Sequence, residues 1–109
     1  MSKKNIYNNR KWRKLRLYHI SNNPLCAYCY PKIVEATQVD HCIPFDLEDK
    51  ESIDRLFLEE DNLISTCSNC HGLITFIQQR LDFKDMSFEE AKRFKISKMI
   101  KKVGDDGFY

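Results

Sequence analysis

The chain has 109 residues, a net charge of +2 and 42% hydrophobic residues. That is enough for one folded domain, too few for two, and too apolar for a disordered chain. No apolar run approaches the roughly 20 residues of a membrane span, and Met1-Ser2-Lys3-Lys4 leads into no secretory signal, so a reducing cytoplasm is the expected setting.

Residues 1–34 carry Lys3, Lys4, Arg10, Lys11, Arg13, Lys14, Arg16 and Lys32 and no acid. Asn8-Asn9 reads as a helix start, giving a basic helix over about 8–21. Trp12, Leu15 and Tyr18 form its apolar stripe, widened by Leu17 and Ile20, and Asn22-Asn23-Pro24 ends it. Its outward cations Arg10, Lys11, Arg13, Lys14 and Arg16 suit a phosphate backbone; the plainer alternative is a solvated helix face. His19 reads as a satisfied polar residue on this helix.

A tight turn, Cys26-Ala27-Tyr28-Cys29, follows. Residues 34–41 have strand character, closed by Pro44. Residues 35–61 carry ten acids and two bases, and Asp46 to Asp61 reads mostly as loop, with a short helix around Ser52 to Phe57. Leu63 to Thr66 reads as a returning strand and Cys67 to Arg80 as a helix. Ser87 and Glu90 form a capping box for a last helix over about 87–103, with Phe88, Ala91, Phe94, Ile96, Met99 and Ile100 as its apolar positions.

Four of the five cysteines form two Cys-x-x-Cys pairs, Cys26/Cys29 and Cys67/Cys70. In a reducing setting a disulfide framework is not expected. Each two-residue spacer lets a turn aim both sulfurs at one point, and two such turns close a tetrahedron around a structural Zn²⁺. No βαβ pattern supports a redox role. Cys42 is left over, as a small buried residue.

Between the pairs stand Val39-Asp40-His41-Cys42-Ile43-Pro44 and Asn62-Leu63, and His71 directly follows Cys70. Imidazole, with an ordinary pKa of about 6.5, has its neutral form available near neutral pH as a general base. Asp40 and His41 are strand neighbours and should point to opposite sides. This ordered set, with the Asn-Pro-Leu-Cys lead into the first pair, resembles the HNH endonuclease family, and specifically small phage-type members with a four-cysteine zinc site.

The resemblance spans about Tyr7 to Thr75. It implies an α+β fold with a ββα-metal core over about 25–80 inside a single nuclease domain, 1–109. It implies His41 as general base, Asp40 and His71 as ligands of a catalytic divalent metal (Mg²⁺, Mn²⁺, Ni²⁺ or Zn²⁺), and Asn62 as a brace holding the His41 ring through a backbone contact. It further implies double-stranded DNA as substrate, cut with little sequence preference by a monomer or weak homodimer. The phage large terminase is an implied partner, and the host cytoplasm the implied location. Two positions depart from relatives. Ile74 stands where many have a phosphate-contacting Lys, and Thr75 where others have a further His; Asp46 or Asp61 could serve as a ligand instead. Rival readings are a zinc-held DNA-binding module without turnover, a protein-interaction adaptor docking through its last helix, and a sequence-specific restriction enzyme.

Overall fold

The computed structural model describes residues 6–105, with side chains to residue 99. Lys3 and Lys4 of the basic arm, and the Ile100 side chain, lie outside the described residues. Among the described residues the principal elements follow in order: α1 (Arg10–Asn22), β1 (Gln38–His41), α2 (Lys50–Leu56), a 3-10 turn (Glu60–Asn62), β2 (Leu63–Thr66), α3 (Ser68–Gln78) and α4 (Phe88–Asp105). Among the described residues, no helix is long and apolar enough to cross a membrane.

The strands pair antiparallel, with Gln38 opposite Thr66 and His41 opposite Leu63. This hairpin followed by α3 is the expected ββα unit. One core lies on the α1 side, where Trp12, Val39, Phe57 and Leu63 pack together. The other lies under α3 and α4, and contains Cys26, Cys42, Ile64, Ile74, Ala91 and Met99. The hairpin separates them.

Local chemistry sets the helix starts. The Asn9 side chain accepts from the Lys11 and Trp12 amides, satisfying donors that a helix start leaves unpaired. The capping box forms as expected: the Ser87 amide donates to Glu90 Oε1 and the Glu90 amide to Ser87 Oγ, each at 3.1 Å.

Expectations for β1 and α1 are corrected. Strand β1 covers only half of 34–41, because the preceding backbone is committed to the first cysteine turn: the Cys26 amide donates to Val34 O and the Ala36 amide to Pro24 O, each at 2.8 Å. The short helix expected in the acidic segment does form, as α2, where Asp49 caps it by accepting from the Glu51 and Ser52 amides. In α1, Tyr18 and Leu17 are exposed, and His19 is buried in their place. A three-residue spacing slips about 60° per step on a helix with 3.6 residues per turn. Two steps from Trp12 carry Tyr18 off the buried face, whereas seven residues bring His19 back to it. His19 is not satisfied either, since its Nδ1 has no hydrogen-bond partner among the described residues.

Candidate active site and metal centres

Cys26 and Cys29 sit on the turn before β1. This turn is held against β2 by the Ala27 amide, which donates to Ser65 O at 3.0 Å. Cys67 is the residue that caps α3, and Cys70 lies in its first turn. The four Sγ atoms lie within 4.8 Å of one another. Cys29 Sγ is 3.8 Å from Cys67 Sγ and 3.7 Å from Cys70 Sγ. Four sulfurs about 2.3 Å from a tetrahedral zinc stand about 3.8 Å apart, so the cluster fits that ion. Burial raises the Cys29 thiol to about 11. At Cys26 burial acts in the same direction, but hydrogen bonds from the Cys67 backbone and the Cys29 thiol outweigh it and bring the thiol down to about 7. Cys42 is outside the cluster, fully buried, with its thiol 3.7 Å from Leu63 O.

His41 ends β1 and turns toward α1. Its ring is stacked on Trp12, centroids 5.1 Å apart, and lies nearly parallel to Phe57 at 5.7 Å. Phe45 meets it edge-on at 4.9 Å. His41 Nε2 lies 2.9 Å from Phe57 O. A carbonyl only accepts, so Nε2 carries the proton and Nδ1 keeps its lone pair. Burial pulls the His41 pKa below its ordinary value and Lys95 adds to this, against the Phe57 contact and Asp40. The ring is therefore neutral near pH 7.

Asp40, one residue earlier, takes the other side of the strand. Its Oδ1 accepts from the His41 amide at 2.8 Å. Its Oδ2 lies 3.9 Å from His71 Nδ1 and 3.8 Å from Lys95 Nζ. Asp40 Oδ2 and His71 Nδ1 are both buried atoms without a hydrogen-bond partner. Two ligand atoms each 2.0–2.2 Å from one ion stand at most about 4.4 Å apart, so this pair fits a shared divalent cation as it stands. His71 follows Cys70 in the first turn of α3, so the cysteine cluster fixes where its imidazole begins.

Asn62 is fully buried. Its Oδ1 accepts from the Ile43 amide at 2.7 Å, and its Nδ2 donates to Ile43 O at 3.0 Å and Leu56 O at 3.1 Å. It ties the segment just after β1 to the end of α2, and none of these hydrogen bonds goes to the His41 ring. The carbonyl that holds the ring belongs to Phe57, next to Leu56, so the bracing is one residue less direct than expected.

Asp40, His41, His71 and Arg16 line one open cleft of about 530 Å³, together with Thr37 and Gln38. Arg16 Nη2 donates to Thr37 O at 3.0 Å. Arg10, Lys11, Arg13 and Lys14 stand exposed on α1. Ile74 is buried in the core and cannot reach a phosphate. Among the described residues, the four cysteines are the only group of three or more potential metal ligands close enough to share an ion, so neither Asp46 nor Asp61 joins Asp40 and His71.

Lys95 is a site neighbour that sequence reasoning misses. It is fully buried, and its ammonium donates to His41 O at 2.7 Å. Burial lowers its pKa, with Asp40 and Cys42 opposing. Its one signal is a lysine on the otherwise apolar α4 face of Ala91, Lys95 and Met99. The Phe57 carbonyl carries no signal, because any residue supplies one.

A family model described as HNH endonuclease matches residues 26–75. No curated protein matches the chain. The crystal structure of the HNH endonuclease of the deep-sea thermophilic bacteriophage GVE2 with manganese ion is similar. Identity is 35%, 71% of this chain and 82% of that one are covered, and the TM-score is 0.58.

Proposed function

Because the chain belongs to the HNH endonuclease family and is thus a metal-dependent nuclease, we propose that it cleaves duplex DNA with little sequence preference, with His41 as general base. Asp40 and His71 hold the catalytic divalent ion, and the four cysteines hold a structural Zn²⁺. The observation that carries this reading is the meeting of Asp40 Oδ2 and His71 Nδ1, two buried atoms 3.9 Å apart and without a hydrogen-bond partner, in the cleft that His41 also lines.

Each side chain then has a separable task. The Phe57 carbonyl keeps the proton on His41 Nε2, so Nδ1 can take a proton from an attacking water. Trp12 and Phe57 limit the ring to one plane, which orients that lone pair. When bound, the ion supplies Lewis-acid stabilisation of charge on the phosphate and the leaving oxygen. Mn²⁺ is the first candidate, from the related phage enzyme; Mg²⁺, Ni²⁺ and Zn²⁺ are the others. Arg16 sits at the cleft, and Arg10, Lys11, Arg13 and Lys14 extend a positive track along α1 for the DNA backbone.

In this reading residues 1–109 form one nuclease domain, with the core over about 25–80 flanked by the basic helix and α4. One site cuts one strand, so a monomer or weak homodimer yields nicks first. Likeness to a phage enzyme supports a phage origin; action in the host cytoplasm, with the large terminase as a partner in genome packaging, belongs to the same proposal. The test is conversion of supercoiled plasmid to open circles with each of the four metals. His41→Ala should abolish it with zinc content unchanged; nicking that survives this substitution removes His41 as the base.

A further inference from the structure

Ala91, Lys95 and Met99 form the buried face of α4, so a cation sits where the helix otherwise presents apolar residues. Taking an ammonium out of water is costly unless it is paired and hydrogen-bonded. Lys95 has two such contacts: the His41 carbonyl at 2.7 Å and Asp40 Oδ2 at 3.8 Å. The same carboxylate oxygen faces His71 Nδ1 at 3.9 Å. Asp40 Oδ2 therefore has a fixed cation on its inner side and the imidazole on its cleft side. Lys95 has no exposed surface and cannot itself reach DNA.

We propose that Lys95 is an internal counter-cation beside Asp40 that acts through this carboxylate and, by its charge, keeps the affinity of the site for its divalent ion low. This rests on Asp40 and His71 being the metal pair. The carboxylate is already charge-balanced before an ion arrives. The arriving ion then shares Asp40 with a like charge. An ion bonded to Oδ2 lies within about 6 Å of Nζ, and even at the dielectric of water a double and a single charge at that separation change an equilibrium constant about tenfold.

The measurement is Mn²⁺ binding to the full, zinc-loaded chain without DNA, read from the electron paramagnetic resonance signal of free Mn²⁺. Lys95→Met and Lys95→Gln should bind Mn²⁺ at least tenfold more tightly than the parent, with zinc content and DNA affinity in chelator-free, Mn²⁺-free buffer unchanged. Loss of a merely structural contact loosens a site and would not tighten it. The side-chain amide introduced by Lys95→Gln retains a donor for the His41 carbonyl, so that variant carries the test if Lys95→Met is unstable. Unchanged or weaker Mn²⁺ binding in the folded variants overturns the proposal, as does loss of the fold in both, which would make Lys95 a structural pin. Asp40→Asn should abolish Mn²⁺ binding. If it does not, the ligand assignment itself fails, a result distinguishable from failure of the Lys95 role alone.

Discussion

Replacing Asn62 by Ala removes three side-chain hydrogen bonds from a position with no solvent access. At about 1 kcal/mol net per bond, the floor is near 3 kcal/mol. The truncation also orphans the part-buried Ile43 amide; a fully buried unsatisfied donor costs about 1–3 kcal/mol, and partial exposure lowers this to at most about 2 kcal/mol. A loss of about 3–5 kcal/mol is expected, a large share of the 5–15 kcal/mol typical of a domain. Urea unfolding of the zinc-loaded protein gives this number, with the single, buried Trp12 as fluorescent probe. Nicking well below the unfolding midpoint gives the functional consequence. Asn62 acts on the ring only through the strand end and the neighbour of Phe57, so the folded variant should retain more activity than His41→Ala. Destabilisation below about 1 kcal/mol, or a fully folded variant as inactive as His41→Ala, would refute this account of Asn62.

Cys67→Ala should lose its zinc and its cooperative fold, read by elemental analysis and circular dichroism; a well-folded, zinc-free variant would contradict the structural role of the cluster. Burial holds the His19 pKa below its ordinary value, reinforced by Lys92 of α4 and opposed by Glu60 of the 3-10 turn. The unfolded chain thus binds the proton first. The stability His19 contributes is full above about pH 6.5 and is lost as pH falls through the lower folded value. The drop in melting temperature from pH 7.5 to pH 5 should shrink in His19→Gln, and an equal drop would refute the assignment. Replacing Arg13 and Lys14 together with Ala should weaken DNA binding and flatten the plot of log affinity against log salt by about 2 units, as for two lost phosphate contacts. An unchanged slope in fluorescence anisotropy would remove α1 from the interface.

What is legible in the sequence is mostly local or bound to a residue type. Asn9, Ser87 and Glu90 announce helix starts because their side chains serve amides two or three residues away. The cysteine spacing announces the cluster because two short turns suffice to aim four sulfurs. Asp40 and His41 can be assigned to opposite sides because strand side chains alternate. What escapes depends on contacts across the fold. Lys95 meets His41 O from 54 residues away, and only its place on an apolar helix face hints at burial. Tyr18 is misplaced by the sequence pattern because three-residue spacing imitates a stripe without following the helix period.

Cys70 and His71 are consecutive, so under the proposed assignment the scaffold ion and the reaction ion would be gripped by adjacent residues of one helical turn. A strong chelator would disarm the nuclease twice, emptying the cleft and releasing the anchor that aims the imidazole. Restoring manganese alone would leave such a preparation dead. Inhibition by chelation therefore counts as evidence for a catalytic cation only when the thiolate-bound zinc has stayed in place.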